Sequence, residues 1–172
     1  MMSPTPNLMF RNIQGTHFAV SDQDNLGVLG RGHGISFLDL DNDGHQDIAA
    51  SFGGLINADA TRDVIFMNTG SKNNWIKVVL RGVRSNRLGL GARLTVVTTE
   101  GGKERPKHLT YGMAGSFGSN PVTVQHVGLG RATTVQNITV HWPHKDSKPS
   151  VHGPFEVNRE VLLVEGEATV AH

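Results

Sequence analysis

The chain is expected to fold as an all-β protein, either a β-sandwich or a partly open barrel. Three observations predict it. Helical periodicity is nearly absent. Short strand-like segments recur at Trp75–Leu80, Ala92–Thr98, Lys107–Tyr111, Val122–Val127, Val135–Trp142 and Val161–Val164, the spacing of a sandwich or barrel. Glycine, 21 of 172 residues, exceeds its usual share of about 7% and is scattered, as many tight turns between short strands require.

Each element has a local reason. In the fifth segment Ile138, Val140 and Trp142 alternate with Asn137, Thr139 and His141, giving one buried and one wet face. The joints Glu100-Gly-Gly-Lys103, Gly128-Leu-Gly130 and Trp142-Pro-His144 carry turn chemistry. The stretch His144–Gly153, rich in Lys, Ser and Pro, reads as a long loop.

Before these strands lies Asp39-Leu-Asp41-Asn-Asp43-Gly44-His45-Gln-Asp47, with carboxylates at positions 1, 3, 5 and 9 and glycine at position 6. Such a loop can wrap hard oxygen ligands around Ca²⁺, which takes six to eight of them at about 2.3–2.6 Å. Asp39, Asp41, Asp43 and Asp47 are the expected side-chain ligands, and His45 is expected to add its backbone carbonyl. An EF-hand would place a bidentate glutamate at position 12, where Ala50 stands. The flanks, Gly34–Leu38 and Ile48–Phe52, read as strands rather than helices. A strand-loop-strand calcium site is the expectation, because carboxylates this close repel one another unless neutralised.

Composition narrows the classes. Sixteen Lys and Arg against 15 Asp and Glu leave no field that would draw nucleic acid or an acidic membrane. With no cysteine, disulfides, thiol catalysis and thiolate zinc sites are excluded. No apolar run is long enough to span a membrane. Met-Met-Ser-Pro-Thr-Pro-Asn lacks the basic and apolar regions of a secretory signal, so the expectation is an intracellular protein or a chain whose leader is missing.

Two segments echo each other. Asn7-Leu-Met-Phe-Arg-Asn12 and Asp63-Val-Ile-Phe-Met-Asn68-Thr-Gly70 are both apolar strands ending in Asn before a glycine turn. That is too little for a closed propeller of at least about four blades, and reads as a residual blade. Phe10-Arg-Asn12, Gly30-Arg-Gly-His-Gly34 and Phe37 through Asp47 resemble the FG-GAP/VCBS-type calcium-binding repeat. The remainder resembles the ASPIC/UnbV domain of the cartilage acidic protein-like family. Its matching residues are Asn74-Trp75, Leu80-Arg-Gly82, Ser85-Asn-Arg87 with Gly91-Ala-Arg93, Val127-Gly-Leu-Gly130 and Val140-His-Trp-Pro143. The resemblance covers about Asn7 to Pro143 and implies an all-β fold with calcium in the repeat loop. The expected division is a calcium-binding unit over 1–72 and an ASPIC/UnbV-like domain over 73–172, packed as one globule. Relatives usually carry a full propeller and an export leader, so a matrix or adhesion role does not transfer.

Other constellations are less specific. Ser85 through Arg93 sets small residues beside arginines and suits an anion, although turn geometry explains it more simply; Asn86 is a second-choice cation ligand. The nine histidines include His141, His144 and His152 near Trp-Pro, but a tetrahedral zinc set is not evident. His33 and His45 flank the acidic loop, and His108, Tyr111 and Ser116 border the glycine-rich Gly112–Ser119. His33, His45, His108 and Tyr111 are the acid–base candidates. Asp22–Asn25 reads as a turn, and no nucleophile elbow is present.

Two functions follow. The first is a calcium-stabilised recognition module for a glycan, a protein or a small organic ligand, with a homodimer favoured by an open strand edge. The second is a small calcium-dependent enzyme, a cyclase or isomerase, with Ca²⁺ as Lewis acid and His or Tyr moving a proton. The first is preferred by a small margin.

Overall fold

The computed structural model describes residues 5–21, 29–30, 32–53, 61–112 and 124–167, and within them every regular element is a β-strand. The all-β expectation holds, and the sheets do not close into a barrel. Asp22–Asn25, Arg31 and most of Gly112–Ser119, with Ser116, lie outside the described residues.

The N-terminal part is built of small sheets. β1 (Thr5–Pro6) pairs with β4 (Leu29–Gly30), and β2 (Phe10–Ile13) forms a hairpin with β3 (His17–Val20). β5 (Gly32–Leu38), β6 (Asp47–Phe52) and β7 (Val64–Phe66) make a three-stranded antiparallel sheet. The strands expected on either side of the acidic loop are therefore present as β5 and β6. The sequence echo also has a structural counterpart. Asn12 Oδ1 accepts the Gly15 amide at 2.7 Å, and Asn68 Oδ1 accepts the Gly70 amide at 3.0 Å, so each asparagine closes a glycine turn.

The remaining strands form two sheets packed on one core. β8 (Asn74–Arg81) lies between β11 (Gln125–Gly130) and β15 (Arg159–Val164). β9 (Arg93–Glu100), β10 (Lys103–Thr110), β12 (Thr134–His141), β13 (Ser150–His152) and β14 (Phe155–Glu156) form the other sheet, in which β12 pairs with β9, β13 and β14. The β9–β10 hairpin turns on Gly101 and Gly102, both at positive φ, as the Gly-Gly joint predicts. β13 corrects the reading of His144–Gly153 as one long loop: Val140 pairs with Ser150 and Ile138 with His152, so its end rejoins the sheet.

Alternation drives the packing. Ile76, Val78 and Leu80 of β8, Leu94 and Val96 of β9, Ile138 and Val140 of β12, and Val161 and Leu163 of β15 all enter the core. Each fully buried side chain of this kind contributes about 1.5–3 kcal/mol. Residues between them point to the outer faces. On β8 that outer face would normally be wet, yet Lys77 is buried, because the acidic loop lies over it.

Candidate functional site

The acidic loop links β5 to β6 and is shaped by its own carboxylates. Asp41 Oδ1 accepts the Asp43 amide at 3.2 Å, Asp43 Oδ1 accepts the His45 amide at 2.8 Å, and Asp39 Oδ2 accepts the Gly44 amide at 2.8 Å. Asn42 has a φ of 60° and Gly44 one of 90°, backbone that asparagine tolerates and glycine favours. One oxygen each from Asp39, Asp41 and Asp43 lies within 4.8 Å of the others. An ion about 2.4 Å from each oxygen spans that separation.

Asp47 has a different place from its three neighbours. It is 1% exposed, Oδ2 accepts the Leu40 amide at 2.9 Å, and Oδ1 accepts the Asn68 amide at 2.8 Å. It braces both ends of the loop and ties them to the segment after β7, and it is not a member of the close group of three. His45 is held as well, its Nε2 accepting the Ser71 amide at 3.3 Å.

The loop docks on the outer face of the β11-β8-β15 sheet. Lys77 Nζ lies 2.6 Å from Asp39 Oδ2 and donates to Asn42 Oδ1 at 3.3 Å, with the lysine and aspartate side chains only 10% and 4% exposed. His126 Nε2 is 2.8 Å from the Gly44 carbonyl; a carbonyl only accepts, so Nε2 carries the proton. The His126 ring stacks on Trp75, with centroids 5.6 Å apart, and the lysine ammonium is 5.3 Å from the Trp75 ring centre. Burial alone would raise the Asp39 carboxyl; hydrogen bonds from Lys77 and the Gly44 amide outweigh it and hold the pKa below the ordinary value. Burial pushes the His126 imidazole down, only partly opposed by the Gly44 carbonyl and Asp39.

One oxygen remains unsatisfied. Asp39 Oδ1 is buried and has no hydrogen-bond partner, a state that costs free energy unless a cation or donor meets it. Lys77 neutralises only one of the carboxylates around it. Lys77→Met is therefore expected to lower stability in chelator by about 3 kcal/mol, the usual cost of stranding one partner of a buried pair. Added calcium is expected to restore most of it, as thermal melts with and without chelator would show.

The acid–base candidates do not gather at the loop. His33 sits on β5 beside Asn7 and Phe52, while His108 on β10 meets Thr95 Oγ1 at 3.1 Å on the far sheet. Tyr111 is part of the core, and burial raises its pKa. None of these three, nor His45, lines the cavity of about 200 Å³ that Asp39 borders. Lys77, His126 and Glu160 line it instead, and sequence reasoning did not single them out. The available signal was a lysine between Ile76 and Val78 in an otherwise apolar strand.

The stretch from Ser85, read first as a turn and only secondarily as an anion site, borders a group of donors that the chain fills itself. Glu165 Oε2 accepts the amides of Val83, Arg84 and Ser85 at 2.9, 2.8 and 2.7 Å, and Oε1 accepts the hydroxyls of Ser85 and Ser147 at 2.9 and 2.7 Å. Asn86 bonds both backbone groups of Leu90 at 2.8 Å and serves the turn.

Fold and site together define an all-β protein whose sandwich carries an acidic loop clamped to one outer face. A sequence model of the family described as ASPIC and UnbV matches residues 82–170, just over half of the chain. The chain belongs to that family. No curated protein matches it. The match begins after the acidic loop, so the FG-GAP/VCBS resemblance of the N-terminal part rests on its residues alone.

Proposed function

We propose that this chain is a calcium-binding recognition module in which Ca²⁺ at Asp39, Asp41 and Asp43 fixes the loop against the sandwich. The buried Asp39 Oδ1, without a partner beside two further carboxylates, is the observation that carries this reading. The donor set fits: all are hard oxygens, with no sulfur or imidazole nitrogen among them, as Ca²⁺ prefers. The His45 carbonyl is the expected backbone ligand, and Asp47, which also braces the loop, is the remaining proposed carboxylate ligand. The FG-GAP/VCBS character of the first 72 residues belongs to the same proposal.

The test is calorimetric. Wild-type protein is expected to bind one Ca²⁺ with a Kd between about 10⁻⁷ and 10⁻³ M, the range from sensor sites to extracellular modules. Asp41 is exposed, so Asp41→Asn is expected to weaken binding at least about tenfold while the melting temperature in chelator stays unchanged. Equal affinity of the two proteins would remove the loop from the reading.

One observation supports a second reading. His126 and Lys77 border the cavity beside the loop, so a calcium-dependent cyclase or isomerase would use them rather than His33, His45, His108 or Tyr111. Recognition is preferred because His126 Nε2 and the Lys77 ammonium are both engaged in holding the loop. Turnover of a small organic substrate that disappears with chelator would reverse that preference.

A further inference from the structure

We infer that the cavity between the acidic loop and the β11-β8-β15 sheet is a binding site for a neutral, monosaccharide-sized polyol; the inference rests on the recognition reading and gives it a ligand class. The site is built by strand register. Lys77 pairs with His126 on one side and with Glu160 on the other. Cross-strand partners share a face, so the three side chains form a row across the outer surface of the sheet. The loop forms the opposite wall, and the volume of this open cavity is about 200 Å³. That is smaller than the pockets of about 300–1,000 Å³ that take drug-sized ligands.

Charge and polarity select the class. Lys77 is committed to Asp39, which leaves the exposed Glu160 as the charge of the row without an ion-pair partner among the described residues. Small anions are therefore repelled. Asn42 and Gln46 also border the cavity, and their amides both donate and accept, while the Glu160 carboxylate accepts. Hydroxyl groups, each a donor and an acceptor, are complementary to that set. Phe37 and Leu40, 50% and 48% exposed, border the same cavity and offer an apolar surface to the C–H face of a sugar ring.

The experiment is an NMR titration of the full chain, with and without calcium. The probes are the methyl glycosides of glucose, galactose, mannose, fucose and N-acetylglucosamine, with ethanolamine and acetate as charged controls. At least one glycoside is expected to bind saturably and to move the Lys77 and His126 resonances. Glu160→Ala and Gln46→Ala, checked by melting temperature, are expected to weaken it at least tenfold. No glycoside binding while calcium still binds would overturn this inference and leave the cation reading standing. Glycoside binding with no calcium binding would do the reverse. Preference for ethanolamine, or binding unchanged in both variants, would also overturn it.

Discussion

Glu165→Gln is expected to lower the stability of the folded protein by about 3 kcal/mol near neutral pH. The residue is 7% exposed and its carboxylate accepts five hydrogen bonds from two other stretches of chain, Val83–Ser85 and Ser147. Burial alone would raise its pKa; the Ser85 amide, the Ser147 hydroxyl, the Val83 amide and the Ser85 hydroxyl outweigh that and bring it from 4.5 to about 2. A folded pKa below the unfolded one stabilises the native state above the unfolded pKa. That contribution is lost as pH falls from about 4.5 to about 2. Glutamine carries no charge to attract the five donors, and its N–H₂ faces either amides that already donate or hydroxyls that must turn to accept it. For 172 residues the expected drop in Tm is about 6–12 °C. Denaturant melts across that pH window should show wild type losing its advantage and the variant following a flatter curve. Parallel curves for the two proteins would mean the carboxylate is not what holds these segments.

The second large effect is expected at Gly44. Its φ is 90°, and a Cβ placed there would fall on Nε1, Cε2 and Cζ2 of the Trp75 indole. Gly44→Ala must therefore lift the loop from the sheet, breaking the His126–Gly44 carbonyl bond and loosening the Asp39–Gly44 amide bond. Backbone strain and overpacking together suggest a cost of about 2–4 kcal/mol. Calcium affinity should fall at least about tenfold, because Asp39 loses the geometry that sets it beside Asp41 and Asp43. Calorimetry checks the affinity. Tryptophan emission checks the cause: Trp75 becomes more exposed, whereas Trp142, buried and bonded to Ser150 Oγ at 3.0 Å, does not change. An alanine variant with native affinity and emission would show that the loop does not depend on this contact.

The sequence made the strands legible where one face is buried and the other wet. Ile138, Val140 and Trp142 are all buried as their alternation predicts, and the hairpin at Gly101-Gly102 follows from backbone permissiveness alone. The three clustered aspartates were equally legible, since their spacing is local. What could not be read depends on register between distant strands. Lys77 meets His126 and Glu160 only because β11 and β15 pair with β8 at those positions. Its burial comes from a loop more than thirty residues earlier in the chain, as the Lys77–Asn42 bond shows. The place of Asp47 in the loop was local and legible, but its bracing role was not, because one of the two amides that it accepts comes from Asn68, 21 residues on. The stretch from Ser85 to Arg93 carried an anion reading as the weaker alternative to a turn, but the amides that hold the carboxylate begin at Val83, and their occupant lies some eighty residues on. Tyr111 and His108 are close in sequence, but one enters the core and the other faces outward.

The parallel pairing of β15 with β8 shapes how the protein comes to be folded. Trp75 and Asn158, bonded across this junction, are 83 residues apart, and β15 alone fills that side of the central strand. Until it arrives, Ile76, Val78 and Leu80 lack the cover of Val161 and Leu163, and the edge of β8 offers unpaired amides to any extended neighbour. Contacts of such long sequence separation form late and slowly. An uncovered β8 edge beside an apolar face is the kind of surface that aggregates, and in the folded protein β15 covers it and the Glu165 clasp pins the end of that strand.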